Sequence, residues 1–314
     1  MSKIYSLDEI SRQNSIVLVD NCILSPNVAD SFRRNLFDYL NPKIIGIFAV
    51  NIYAVAKTLL DRENFAITPE IAQEYEELRS SIKRALQGLE NILNRDNHIK
   101  ISLFHSKNHV NGATLILSNK HLSWLYENSG IIKEVLESRF AVNSVYEELF
   151  PDLKELAVRS AQIVAERNAD NPRLALSKNG NRNDESLVAA GFCYSLSGVG
   201  SAAILTNDSR IPLIYTKLHH ILTGDYGSEI NANLFDSLSD LSMNVFLGTE
   251  KAGLFEQVEM PRTGLPRDKY IAEEDIRRVS EVDRRVVSRR AETIVNPSVN
   301  SCISQRHMSW ATEN

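Results

Sequence analysis

Residues 183–210 read NDESLVAAGFCYSLSGVGSAAILTNDSR, and the fold turns on how this stretch divides. Two acids, Asp184 and Glu185, open it. The next residues, among them Leu187, Val188, Ala190, Gly191, Tyr194 and Leu196, leave no polar face, so they predict a helix buried on most sides. Asn183 is placed as its N-cap. Gly198 and Gly200 break the run. Ala202 to Leu205 is too short for a helix and is bounded by turn residues, which predicts a buried strand. That strand delivers Asp208 at its C-terminal end, where open α/β sheets put their ligand sites. Asp184 lies four residues before Val188 and seven before Gly191, so it sits over the buried stripe. An acid at the mouth of a buried helix and an acid at a strand end can meet at one point.

Working outward, Ile16–Val19 is a second short apolar run and predicts a central parallel strand ending in Asp20. Ser6 and Glu9 have capping-box spacing, so a short helix is expected before it. Asn27–Leu40 and Ile44–Leu60 carry helical spacing, and Phe65–Thr68 reads as another short strand. Pro69 then starts a long amphipathic helix, with Ile71, Tyr75, Leu78, Ile82, Leu86, Leu89 and Leu93 on one stripe. At about 100° per residue, Glu70, Glu76 and Glu77 fall roughly 120° or more from the stripe centre, and Glu74 about 80° from it. Glu74 is therefore the acid near the helix start that can lean inward; pairing with a surface cation is its bland alternative.

His98–Phe104 suggests a strand, and residues 131–140 and 142–167 suggest helices, the second interrupted by Pro151. Residues 168–183 form a polar loop carrying Arg173, Lys178 and Arg182 straight into Asp184. These are either solvated loop residues or a positive lip for a phosphate backbone. A helix over 211–222 and a final strand over 244–247 complete a domain placed at 1–248, with a helical insertion over about 80–170. Residues 249–314 read as a charged tail, partly helical and partly disordered. Ile276, Val279, Val282 and Val286 form one narrow helical stripe there, flanked by arginines, and need a surface to cover them: the chain's own core, another subunit or a protein partner.

Composition narrows the classes. A formal charge of −5 and a pI near 5.9 argue against whole-surface nucleic-acid binding and leave room for a local basic patch. Cys22, Cys193 and Cys302 are far apart, which suits reduced thiols in the cytoplasm and neither a disulfide frame nor a zinc knuckle. No apolar run reaches the roughly 18 residues of a bilayer span, so no membrane association is expected.

Four acids have thus been singled out by position: Asp20, Glu74, Asp184 and Asp208. Carboxylates gathered this way repel unless a cation lies between them. An all-oxygen set suits Mg²⁺ or Mn²⁺. On these residues the chain resembles the PIN-domain nucleases. The matching pieces are VLVDNCIL, ITPEIAQEYEEL, NDESLVAAGF and ILTND, in the family's order and spacing, over roughly residues 15–247. The resemblance implies an α/β three-layer domain, a central parallel sheet flanked by helices. It also implies Mg²⁺- or Mn²⁺-dependent phosphodiester hydrolysis, most often of single-stranded RNA, with DNA as the other candidate. By the same resemblance Asp20, Glu74, Asp184 and Asp208 are the metal-site acids. Asn21 and Thr206 are polar supports, and Glu185 is the alternative to Asp184. The family commonly has Ser or Thr where this chain has Asn21, and Asn where it has Cys22.

Other readings compete. A haloacid-dehalogenase-type phosphatase needs a second acid two residues after Asp20, and Cys22 stands there. A receiver-like domain needs an acidic pair before the acceptor strand and a late strand-end lysine, and the chain offers no convincing set. The alternative within the same fold is a non-catalytic PIN-like module that binds RNA or protein.

Overall fold

The computed structural model describes residues 3–24, 53, 55–77, 99–102, 114–117, 119–167, 182–198, 200–223, 238, 241, 243–249, 254–258 and 273–295. The expected helix over 27–40, the later part of the amphipathic helix and the loop over 168–181 lie outside these residues. So do the end of the tail and the side chains of Arg173 and Lys178.

A six-stranded mixed sheet with flanking helices is built in the order β1-β8-β7-β6-β2-β3. Its strands are β1 (Ile4–Ser6), β2 (Ile16–Val19), β3 (Phe65–Ala66), β6 (Ala202–Thr206), β7 (Met243–Gly248) and β8 (Leu254–Gln257). β3, β2, β6 and β7 run parallel, with Val19 opposite Leu205 and Thr206 opposite Leu247. All five residues of β6 are buried, which is why an unbroken apolar run encodes it. Two further strands, β4 (Ile99–Ser102) and β5 (Thr114–Leu117), form a separate antiparallel pair. The sequence predicts only the first of them, within His98–Phe104.

The helices follow the sequence cues closely. α1 (Leu7–Gln13) starts at a full capping box, with the Ser6 hydroxyl accepting from the Glu9 N–H and the Ser6 N–H donating to Glu9. Residues 55–61 form α3, after the short α2 (Asn21–Leu24). Residues 69–77 form α4, with Thr68 accepting from the Ile71 N–H ahead of Pro69. α5 (Asn119–Ser138) and α6 (Ser144–Arg167) occupy the insertion. Pro151 lies inside α6 and does not interrupt it. Tyr146, Leu149, Leu153, Leu156 and Ala157, buried on both sides of the proline, hold the helix together.

α7 (Asn183–Leu196) packs between the sheet and α6, and α8 (Arg210–Thr223) follows β6. Gly191 lets α7 approach this closely: a Cβ there would stand 2.6 Å from Met243 Cε and 3.3 Å from Ile204 Cδ1. The N-cap position of α7 is Arg182, without a side-chain cap, and Asn183 is the first helical residue. The amide expected to cap is used elsewhere, as described below.

The largest departure lies beyond residue 248. β8 is hydrogen-bonded between β7 and β1, so part of the expected tail belongs to the sheet, and β7 is not the last strand. The helix α9 (Glu273–Val295) buries Val279, Val282 and Val286 fully or nearly so, packed against α6 and α8. Arg285 and Arg278 pair with Asp152, Arg289 with Glu148, and Arg159 with Asp275. Val279, Val282 and Val286 are thus covered by the chain itself, and Arg278, Arg285 and Arg289 face acids of α6. Val282→Ala is expected to cost about 2 kcal/mol, read as a lower urea midpoint. An unchanged midpoint would show that the helix is not docked in solution. Among the described residues no helix is long and apolar enough to cross a membrane.

Candidate functional site

From β2 the chain reaches β3 on one side of the sheet, and it later returns to β6 on the other side of β2. The strand order therefore reverses between β2 and β6, and the crevice beyond their carboxyl ends is the topological switch point. Asp20 follows β2, and Asp208 lies two residues beyond β6.

The two strand ends are laced by side chains. The Thr206 hydroxyl donates to Asp20 Oδ2 at 2.6 Å, and its oxygen accepts the Asp208 N–H at 2.9 Å. The Cys22 thiol donates to the same Asp20 Oδ2 at 2.7 Å, and its sulfur accepts the Asn207 N–H at 2.9 Å. Asn207 Nδ2 donates to the Cys22 carbonyl. Asp208 accepts the Arg210 N–H on Oδ1 at 2.8 Å, a tight turn into α8. Glu74 reaches the same place from α4, and Asn183 Nδ2 donates to its Oε2 at 2.9 Å. Its neighbours point elsewhere: Glu70 pairs with Lys154, Glu76 with Lys133, and Glu77 is exposed.

The four singled-out acids share one electrostatic neighbourhood. Burial pushes Asp20 up to about 6 against an ordinary 3.8; the charges of Glu74 and Asp208 add to this, and the Cys22 and Thr206 bonds oppose it. Asp184 is driven well above its usual range, first by desolvation and then by Asp20 and Asp208, with Arg210 opposing. Burial and the neighbouring Asp20 also hold the Cys22 thiol well up, so it stays protonated as a donor.

Asp184 and Glu185 share a cation that the sequence reading missed. Arg210 Nη1 donates to Asp184 Oδ2 at 3.2 Å and Nη2 to Glu185 Oε1 at 2.6 Å, with the arginine side chain 10% exposed. Glu185 is the more deeply buried acid, and its Oε2 has no partner among the described residues. Asn21 is buried on α2, and its Oδ1 likewise has none. Arg182 is exposed just before α7. A signal for Arg210 was present: a cation in the first turn of a helix opposes the helix dipole and needs a carboxylate to hold it.

No protein-family model matches this chain, and no curated protein or solved structure matches it either.

Could these residues hold a cation? Among the described residues, one oxygen of each of Asp20, Glu74, Asp184 and Asp208 takes the internal hydrogen bonds, and the other takes none. Anchoring by one oxygen while the other stays clear is the chemistry of a positioned oxygen ligand. The donor set suits a hard divalent cation. As they stand, no three His, Cys, Asp or Glu side chains among the described residues are gathered closely enough to hold one.

Proposed function

We propose that the chain is a PIN-like, Mg²⁺- or Mn²⁺-dependent nuclease, an endoribonuclease acting on single-stranded RNA. What supports this reading is that Asp20, Glu74, Asp184 and Asp208 come from four separate elements into one electrostatic neighbourhood near the switch point of the sheet. Each takes its internal hydrogen bonds on one oxygen and none on the other among the described residues. A divalent cation held there would supply polarisation of a phosphoryl oxygen and activation of water. The chain's own contribution is orientation. Thr206 and Cys22 fix Asp20, Asn183 fixes Glu74, and the Arg210 backbone fixes Asp208. Arg173, Lys178 and Arg182 are proposed to meet the nucleic-acid backbone on the approach to Asp184.

The test is incubation with labelled single-stranded RNA and DNA in Mg²⁺, Mn²⁺ or chelator. RNA cleavage with either metal and none with chelator is expected. Asp208→Asn, which keeps shape and loses charge, should cut activity at least about a hundredfold. Undiminished cleavage by that variant would remove Asp208 from the site.

One observation favours a second reading, the non-catalytic PIN-like module: Arg210 already neutralises part of the acidic cluster. RNA or protein binding with no response to divalent cations would select it.

A further inference from the structure

Resting on the nuclease reading above, we infer that Asn207 is a positioning residue of the site and that β7 ends in a glycine, Gly248, to make room for it. Asn207 stands between Thr206 and Asp208, and it grips Cys22 twice. Its backbone N–H donates to Cys22 Sγ at 2.9 Å, and its Nδ2 donates to the Cys22 carbonyl at 3.2 Å. The same thiol donates to Asp20 Oδ2 at 2.7 Å. Asn207 therefore ties the start of α2 to the end of β6, and through Cys22 it bears on Asp20. An asparagine beside a turn ordinarily bonds its own backbone two residues on. Here Asp208 does that with the Arg210 N–H, and the Asn207 amide reaches a residue 185 positions away.

With Nδ2 spent on Cys22, the other end of the amide, Oδ1, faces the end of β7. A Cβ on Gly248 would run into that Oδ1 and stand 3.0 Å from Asn207 Cγ. No side chain fits there while the amide keeps its place. Backbone conformation is not the reason for this glycine. Among the described residues the glycines with positive φ are Gly198 and Gly200, and Gly248 pairs with Phe255 of β8 as an ordinary strand residue. A glycine weakens a strand and marks a close approach. The group that approaches here is the Asn207 side chain. The succession Gly248, Asn207, Cys22, Asp20 thus joins β7, β6 and β2 at their carboxyl ends.

Two readouts on the full chain test this: alkylation of Cys22 by iodoacetamide at fixed pH, located by mass mapping, and cleavage of single-stranded RNA. Asn207 Oδ1 is the far end of a flexible side chain, so Gly248→Ala should fold with the amide swung aside. Gly248→Ala and Asn207→Ala are each expected to speed Cys22 alkylation roughly three- to tenfold, the change that one hydrogen bond makes. Each should lower kcat by a similar factor and leave KM unchanged. Both act through one amide, so the double variant should match Asn207→Ala alone. If Gly248→Ala does not fold, the double variant should, because the clash is gone. Effects that multiply in the double variant overturn the inference, and so does a double variant that does not fold. Unchanged alkylation or unchanged kcat in the folded single variants also overturns it. An unaltered protein that cleaves no RNA removes the nuclease reading alone, and the alkylation rates decide the interlock without it.

Discussion

Asp20→Asn is expected to abolish cleavage and, at the same time, to make the protein more stable. In the folded chain Asp20 titrates at about 6, against an ordinary 3.8. The unfolded chain gives up this proton first, so the folded state is favoured below the ordinary value and loses ground as pH rises through about 6. At about 1.4 kcal/mol per pH unit, the loss above neutrality is about 3 kcal/mol. Asparagine escapes it. Both donors to Asp20 use Oδ2, and the amide oxygen of asparagine can accept from Thr206 and Cys22 in the same place. In chelator at pH 8, the variant should therefore unfold at a higher urea concentration than the unaltered protein, and the gap should close below about pH 4. Saturating Mg²⁺ should narrow it from the other side, by stabilising only the protein that binds the ion. A variant that is less stable than its parent at pH 8 would mean that the carboxylate is already compensated. The activity side is at least about a hundredfold loss.

Removing residues 249–314 is expected to unfold the chain rather than trim it. The deletion takes Phe255, Val279, Val282 and Val286 out of the core, all at most 3% exposed. At about 2 kcal/mol for each buried side chain, this is about 8 kcal/mol. That is comparable to the whole stability of an ordinary domain, about 5–15 kcal/mol. It also strips β8 from β7 and leaves β1 without a partner. A bare sheet edge invites association with other chains. Circular dichroism and light scattering should show lost structure and aggregation. A monomeric, folded truncation would show that strand and helix add nothing to the core.

The parts of the molecule legible in the sequence are those whose stability is local or whose burial is complete. β2 and β6 are apolar because both faces are covered, so their runs read directly. The capping box before α1 and the Thr68-Pro69 start of α4 are spelled out in adjacent residues. Glu74 was separated from its neighbours by angle, and their outward pairs with Lys133 and Lys154 agree with that geometry. What could not be read depends on distant partners. β1 and β8 are short and mostly half-buried; β1 takes its ladder hydrogen bonds from β8, and β8 takes its own from β1 and β7. The stripe of α9 declared that it needed cover, but only the acids of α6 reveal where. Cys22, a departure from the resembled family's pattern, turns out to hold Asp20, since a thiol can donate where an amide would. Arg210 was missed because its partners lie 25 and 26 residues away.

The pairing of β1 with β8 has a consequence in time. Tyr5 and Gln257, whose side chains are hydrogen-bonded, are 252 residues apart in the chain. At roughly 5–20 residues per second, a ribosome needs on the order of tens of seconds to pass from one to the other. β1 is thus made long before its partner, and β7 keeps an open edge until Leu254–Gln257 emerges. Closing so long a loop is slow by topology alone. During its synthesis, therefore, the nascent chain carries an unfinished sheet, and its final assembly is expected to need cover by chaperones to outpace aggregation.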